Sequence, residues 1–209
     1  MTQYGFYFDN SRCTGCRTCV AACNDYKQLS LGEGYRRVID YEGGNWEVAE
    51  NGVATQDCYV YHVSVSCNHC DNPACAAVCP TGAMHKDENG LVLVDHSKCV
   101  GCGYCTMACP YHAPFIKKDE RKSCKCDGCK SRVLQGLAPI CVGSCPLRAL
   151  QFDTIENLKE KYPDSMDSII PLADGSYTQP NLYIAPSAAA QQVLSNPELQ
   201  GEIGNLVEI

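Results

Sequence analysis

Basic charge is the first thing this sequence is short of. Seventeen Lys+Arg stand against 24 Asp+Glu, a net −7 at neutral pH, which argues against a nucleic-acid partner, since that would call for a basic face. Large apolar rings are also scarce: one Trp and four Phe, with aromatics at 8% of 209 residues. The conventional core is thin for one large or two small domains, and something besides aromatic burial must help hold it. No window approaches the ~18 consecutive apolar residues of a membrane helix. The opening Met1-Thr2-Gln3-Tyr4-Gly5-Phe6 has no basic region and no apolar run before Cys13, so no secretory signal is expected. The one Arg pair, Arg36-Arg37, sits mid-chain with no hydrophobic stretch behind it. Without its own export signal, an oxidised disulfide framework is hard to reach. G-x-S-x-G, P-loop, G-x-G-x-x-G and H-E-x-x-H motifs are all missing, so no catalytic constellation is expected.

Cysteine is what the chain has in excess: 18 of 209, a level that suggests a disulfide or metal scaffold. Cys13, Cys16, Cys19 and Cys23 are spaced C-x2-C-x2-C-x3-C, and the same pattern returns at Cys99, Cys102, Cys105 and Cys109. Cys67, Cys70, Cys75 and Cys79 give C-x2-C-x4-C-x3-C, and Cys126, Cys129, Cys141 and Cys145 give C-x2-C-x11-C-x3-C. Proline follows three of the four quartets, as Pro80, Pro110 and Pro146, whereas Asn24 follows Cys23. Cys58 and Cys124 are left over.

Three thiolates at this spacing wrap a loop around one iron–sulfur cubane. The next cysteine lies on the following helix and points elsewhere; in the bacterial ferredoxin run it ligates the other cluster. The proline then sends the chain out extended. Four motifs therefore predict two pairs and four [4Fe–4S] clusters. A zinc ribbon uses two C-x2-C knuckles for one ion and has no use for a third cysteine or a C-x3-C-P ending. Cys124-Lys125-Cys126 offers two starts for the last motif; only Cys126 gives the C-x2-C of the others, leaving Cys124 a bystander. Cys58 precedes a strand and reads as a small packing residue. With every cluster corner capped by thiolate, the chemistry left is one-electron transfer.

Elsewhere, 35–47 and 57–66 read as two strands joined by a loop, with Tyr59, Tyr61, Val63 and Val65 alternating as in a half-buried strand. A short strand is expected at 90–95. Seven basic residues, Lys117, Lys118, Arg121, Lys122, Lys125, Lys130 and Arg132, read better as a solvated face offsetting cluster charge than as a dock for an acidic partner. The five histidines show no shared ligand spacing. His69, inside the second motif, and His112, just past the third, can hydrogen-bond a cluster sulfur, although such residues more often pack. Thr154 caps an expected helix to Tyr162, with Asn157 at its third position. Beyond it the weakly periodic tail, with the apolar steps Ile169-Ile170-Pro171-Leu172 and Leu182-Tyr183-Ile184, reads as an arm ordering against another subunit.

The flanks narrow the family. Gln3-Tyr4-Gly5-Phe6, Ser11-Arg12-Cys13-Thr14-Gly15-Cys16, Ser66-Cys67-Asn68-His69-Cys70 and Thr81-Gly82-Ala83-Met84-His85-Lys86 come first. Lys125-Cys126-Asp127-Gly128-Cys129, Ser144-Cys145-Pro146-Leu147-Arg148-Ala149-Leu150 and Gln179-Pro180-Asn181-Leu182 follow. With these the chain resembles the four-cluster iron–sulfur subunit of the molybdopterin oxidoreductases, most closely that of dimethyl sulfoxide reductase, over nearly its whole length. The resemblance implies an α+β fold of two interleaved bacterial-ferredoxin-like modules with a β-hairpin insertion and an extended C-terminal arm. Residues 1–30 with 111–152 would form the first module, 31–66 the insertion, 67–110 the second module and 153–209 the helix and partner-binding arm. It implies this pairing: Cys13, Cys16, Cys19 with Cys145 (cluster 1); Cys67, Cys70, Cys75 with Cys109 (cluster 2); Cys99, Cys102, Cys105 with Cys79 (cluster 3); Cys126, Cys129, Cys141 with Cys23 (cluster 4). Some relatives carry an aromatic residue at the position of Cys102 and a three-iron cluster there; the cysteine here implies four cubanes. The partners implied are a molybdopterin catalytic subunit and a quinol-oxidising membrane anchor, with no substrate bound by the iron–sulfur subunit itself. Clusters would be assembled in the cytoplasm and the folded pair held at the membrane, outside it if co-exported with a twin-arginine partner. The acceptor implied is dimethyl sulfoxide or an N-oxide; the same wire would serve a tetrathionate, polysulfide or selenate reductase or a catechol dehydroxylase.

Overall fold

Loops that wrap cysteines leave little room for long elements, and most of the strands and helices are only three to seven residues long. The computed structural model describes residues 2–205 apart from Pro197 and Gln200. From the N-terminus run β1 (Tyr4–Asp9), α1 (Thr18–Lys27), β2 (Arg37–Gly43), β3 (Trp46–Val48), β4 (Ala54–Gln56) and β5 (Tyr59–Val65). The middle holds α2 (Ala74–Ala77), β6 (Met84–Lys86), β7 (Val92–Val94), α3 (Tyr104–Ala108), β8 (Phe115–Lys117) and β9 (Lys122–Cys124). Then come α4 (Lys130–Val133), α5 (Ile140–Gly143), β10 (Leu150–Thr154), α6 (Ile155–Lys161), β11 (Leu182–Ala185), α7 (Ala188–Ser195) and β12 (Gly201–Ile203). The content is α+β, and no described helix is long and apolar enough to cross a membrane.

Two three-stranded sheets carry the apolar core. In the first, β1 lies between β10, antiparallel, and β11, parallel. In the second, β2 lies between β12 and β5, both antiparallel. Phe8 and Ile184 from the first and Val63 from the second are fully buried in one cluster that also takes in Cys19, Cys141 and Cys145. Each such apolar residue contributes about 1.5–3 kcal/mol by leaving water. Three two-stranded hairpins, β3–β4, β6–β7 and β8–β9, complete the strands.

The alternation at 59–65 forms β5 as expected, but 35–47 is not one strand. β2 ends at Gly43, and a separate hairpin, β3–β4, occupies the expected loop. Gly44 breaks the run: its φ is 93°, and a Cβ there would lie 2.6 Å from the Asp57 carbonyl oxygen. The strand at 90–95 is β7, paired with β6. Thr154 caps α6, accepting from the Asn157 N–H at 3.4 Å. The described part of 153–209 is not an arm awaiting a second subunit. Its β11 completes the β1 sheet, β12 joins β2, and Ile169, Ala190 and Val193 are buried in the molecule's own core. Alternating Leu182 and Ile184 give it an apolar face buried in the main core cluster, while β1 pairs along its edge.

Candidate metal centres

A tight left-handed turn precedes the second cysteine of every motif. Gly15, Gly101 and Gly128 hold φ of 67°, 71° and 65°, and the matching residue of the second motif is His69 at 46°. The turn lets neighbouring thiols converge, and its surroundings leave no space for a larger residue at the glycines. A Cβ on Gly15 would lie 2.7 Å from the His62 ring, and one on Gly101 would collide with the Arg121 carbonyl. A helix carries the third cysteine of each motif, and in α1 it also carries the fourth, one turn and about 6 Å further along its axis. α1 carries Cys19 and Cys23. The others are shorter than expected: α2, α3 and α5 carry Cys75, Cys105 and Cys141 and stop before Cys79, Cys109 and Cys145.

α1 packs on α5 and α2 on α3, so the thiols regroup across motifs. Cys13, Cys16, Cys19 and Cys145 line one cavity with Phe8, Val38 and Leu150. Cys99, Cys102, Cys105 and Cys79 line another with Met84, Val94 and Ile116. Cys23 neighbours Cys141 and Cys129, whereas Cys126 neighbours Cys67 of the second motif as well as Cys141 and Cys23, and shares an apolar cluster with Cys67, Cys70 and Cys109. Cys75 neighbours Cys67, Cys70 and Cys109. These are quartets 1, 3, 4 and 2. Among the described residues no three donors converge on a single ion-sized point; at the two cavities four thiols ring an apolar space. Four soft donors around such a space fit an iron–sulfur cubane.

The quartets follow one another in the order 1–4–2–3. Quartets 1 and 4 share α1, and quartets 2 and 3 share the α2–α3 pair. Lys125 joins 4 to 2: it precedes Cys126, and its Nζ donates to Cys67 Sγ at 3.4 Å and to the Cys126 carbonyl at 2.9 Å. Its place in the basic run does not put it on a solvated face, for it is 5% exposed. Cys16 and Cys102 are exposed, one at each end of the order, while every thiol of quartets 4 and 2 is buried.

Burial pushes the Cys13 thiol up to about 11, and those of Cys23, Cys70 and Cys75 up to about 12, with neighbouring thiols adding to it. Free, these groups keep their protons at neutral pH, and a metal must displace them. Hydrogen bonds from Thr18 lower Cys16. At Cys79 burial raises the thiol, but N–H donors led by Met84 outweigh it. Donors reach other sulfurs too: Ser123 N–H to Cys99, Gly128 N–H to Cys126 and Ala149 N–H to Cys145, at 3.4, 3.4 and 3.3 Å.

Among the described residues, three buried side-chain nitrogens have no partner: Arg36 Nε, Asn68 Nδ2 and His69 Nε2. Arg36 is 2% exposed, donates to Ser64 and Ser66, and stacks over Phe6. Burial opposes its charge, but the thiols of Cys141, Cys19, Cys126 and Cys23 outweigh this and hold its proton tighter than usual. Nothing around Arg36 in the sequence marks it. The leftover cysteines differ: Cys124 is buried near His96, whereas Cys58 is exposed, not packed as expected, because it precedes β5 at the rim of an open surface groove.

Comparison with known proteins agrees with this donor chemistry. Residues 58–155 match the 4Fe-4S dicluster domain family and residues 10–27 the 4Fe-4S binding domain family. The sequence is 50% identical over 209 residues, the full length of both proteins, to the B subunit of the anaerobic dimethyl sulfoxide reductase of Haemophilus influenzae. To the corresponding subunit of Escherichia coli K12 it is 49% identical over 203 residues, 94% of this protein and 98% of that one. To the thiosulfate reductase electron transfer subunit PhsB of Salmonella typhi it is 39% identical over 155 residues, 74% of this protein and 77% of that one.

Proposed function

The protein belongs to the family of anaerobic dimethyl sulfoxide reductase B subunits, and from that premise we propose that it is the electron wire of such a complex. It is an iron–sulfur electron-transfer subunit and does not itself carry out catalysis. The sixteen cysteines of quartets 1–4 hold four [4Fe–4S] clusters, with the module interleaving that pairs motif one with four and two with three. Such clusters exchange one electron at a time. The protein's own part is to cap each with thiolates and keep water from the inner two.

The observation that carries this reading is that each outer quartet exposes one thiol, Cys16 and Cys102, while every thiol of quartets 4 and 2 is buried. Around Cys102, Val100, Tyr104 and Met107 are 65%, 52% and 73% exposed, an apolar rim suited to a quinol-oxidising membrane anchor. The Cys16 end faces the molybdopterin subunit that reduces dimethyl sulfoxide or an N-oxide, and the assembled pair stands on the outer face of the membrane. Replacing Cys102 by Ser tests this. Quinol-dependent turnover of the complex falls while dye-dependent turnover by the catalytic subunit survives. Equal loss of both, with every cluster retained, would contradict it.

A further inference from the structure

Among the four loops, one breaks the pattern. The left-handed turn that Gly15, Gly101 and Gly128 supply elsewhere is made in the second motif by His69, at φ 46°. A residue with a Cβ is strained there by about 1–3 kcal/mol, and glycine would remove the strain. The surroundings hold the turn in place. Asn181 donates its N–H to the Asn68 carbonyl at 3.0 Å and its side-chain amide to the His69 carbonyl at 2.8 Å. The Val92 N–H donates to His69 Nδ1 at 3.0 Å.

That last bond fixes the tautomer. Nδ1 accepts, so Nε2 carries the hydrogen. Yet His69 is 0% exposed and its Nε2 has no partner. A buried N–H left unmade costs about 1–3 kcal/mol more. The nitrogen lies against the loop of a different motif, 3.5 Å from where a Cβ on Gly128 would stand. Gly128 in turn donates its N–H to Cys126 Sγ at 3.4 Å. One side chain thus combines backbone strain and a buried unpaired donor, placed between quartets 2 and 4.

We propose that His69 is a positioning residue that reaches from one inner quartet to the other, its Nε2–H donating to sulfur at the site of Cys126, Cys129, Cys141 and Cys23 and raising the reduction potential there. This rests on the reading of the quartets as iron–sulfur centres. A donor to sulfur favours the more negative state, hence the direction. No covalent bond forms or breaks and the proton stays on the imidazole; one electron arrives and one departs.

The test is redox titration of the whole complex, followed by electron paramagnetic resonance, for His69→Gly and His69→Gln. Glycine suits the turn, as in the other three loops, so His69→Gly keeps its iron while it loses the donor, along with the acceptor of the Val92 N–H and the buried ring. At one inner centre the ratio of reduced to oxidised form at a fixed potential then falls roughly tenfold, a shift of 59 mV downward for a one-electron couple. His69→Gln, which keeps an N–H near the Nε2 position, stays close to the parent. Four unshifted potentials in His69→Gly would overturn the role of His69. A parent complex whose iron–sulfur subunit lacks four centres would instead overturn the reading it rests on. Should His69→Gly lose iron, labelling histidine with nitrogen-15 decides. The parent gives a nitrogen coupling at a reduced inner centre that vanishes in His69→Gln, and its absence in the parent contradicts the proposal.

Discussion

Arg36 is a charge taken out of water with hydroxyls, a carbonyl and a ring for company and, among the described residues, no carboxylate within ion-pair distance. Its removal strands the Ser66 hydroxyl and leaves Ser64 with only the Cys19 sulfur. Arg36→Met is therefore expected to cost about 2 kcal/mol, read as a lower midpoint in thermal unfolding of the complex; an unchanged midpoint would contradict this. The turn glycines make a sharper case. Gly101 combines a left-handed φ of 71° with the Arg121 carbonyl in the place of its Cβ. Gly101→Ala should cost at least about 2 kcal/mol and deplete iron at quartet 3, as metal analysis would register. Gly32 is equally left-handed, with φ 81°, but has open space around it, so Gly32→Ala should leave the iron intact. The cysteine motifs were legible in the sequence because thiol spacing is local chemistry. The His69 position was legible too, since lining up the four motifs sets one C-x-H-C against three C-x-G-C. Arg36 was not, because its site exists only once β2 pairs with β5 and brings Ser64 and Ser66 beside it. Lys125 was read into a basic surface run because linear charge density says nothing about which member turns inward.

Elements tell the same story in longer units. β5 and α6 could be read from alternation and a cap, both local signals. The tail could not, since the apolar faces of Leu182, Ile184 and Val193 do not say which surface covers them. The structure answers with β1 and the core beneath it. Ile184, fully buried opposite Phe8, tests that answer: Ile184→Ala should cost roughly 2–5 kcal/mol in denaturant unfolding. A loss below about 1 kcal/mol would mean that β11 does not belong to this sheet. The β3–β4 hairpin is the opposite case. Trp46 is 69% exposed and all six strand residues face solvent, so Trp46→Ala should change stability by no more than about 0.5 kcal/mol.

At the scale of the whole molecule, four sets of thiols replace much of the missing aromatic core. Cys19, Cys141 and Cys145 sit in the main apolar cluster, and Cys75 and Cys105 in another. The fold and its metal are thus expected to be coupled, and stripping iron with a chelator under air should lower the unfolding midpoint sharply. In the proposed wire, the thiols of the two inner quartets are buried and each outer quartet exposes one, Cys16 and Cys102. All of this depends on the four sets of cysteines holding four clusters. Iron and acid-labile sulfide, measured with molybdenum on the complex purified anaerobically from its own cells, address that most directly. The account predicts about sixteen of each per copy of this subunit, beyond what the catalytic partner carries, with molybdenum in equal proportion to the subunit. About eight or fewer, or zinc in place of iron, would contradict it.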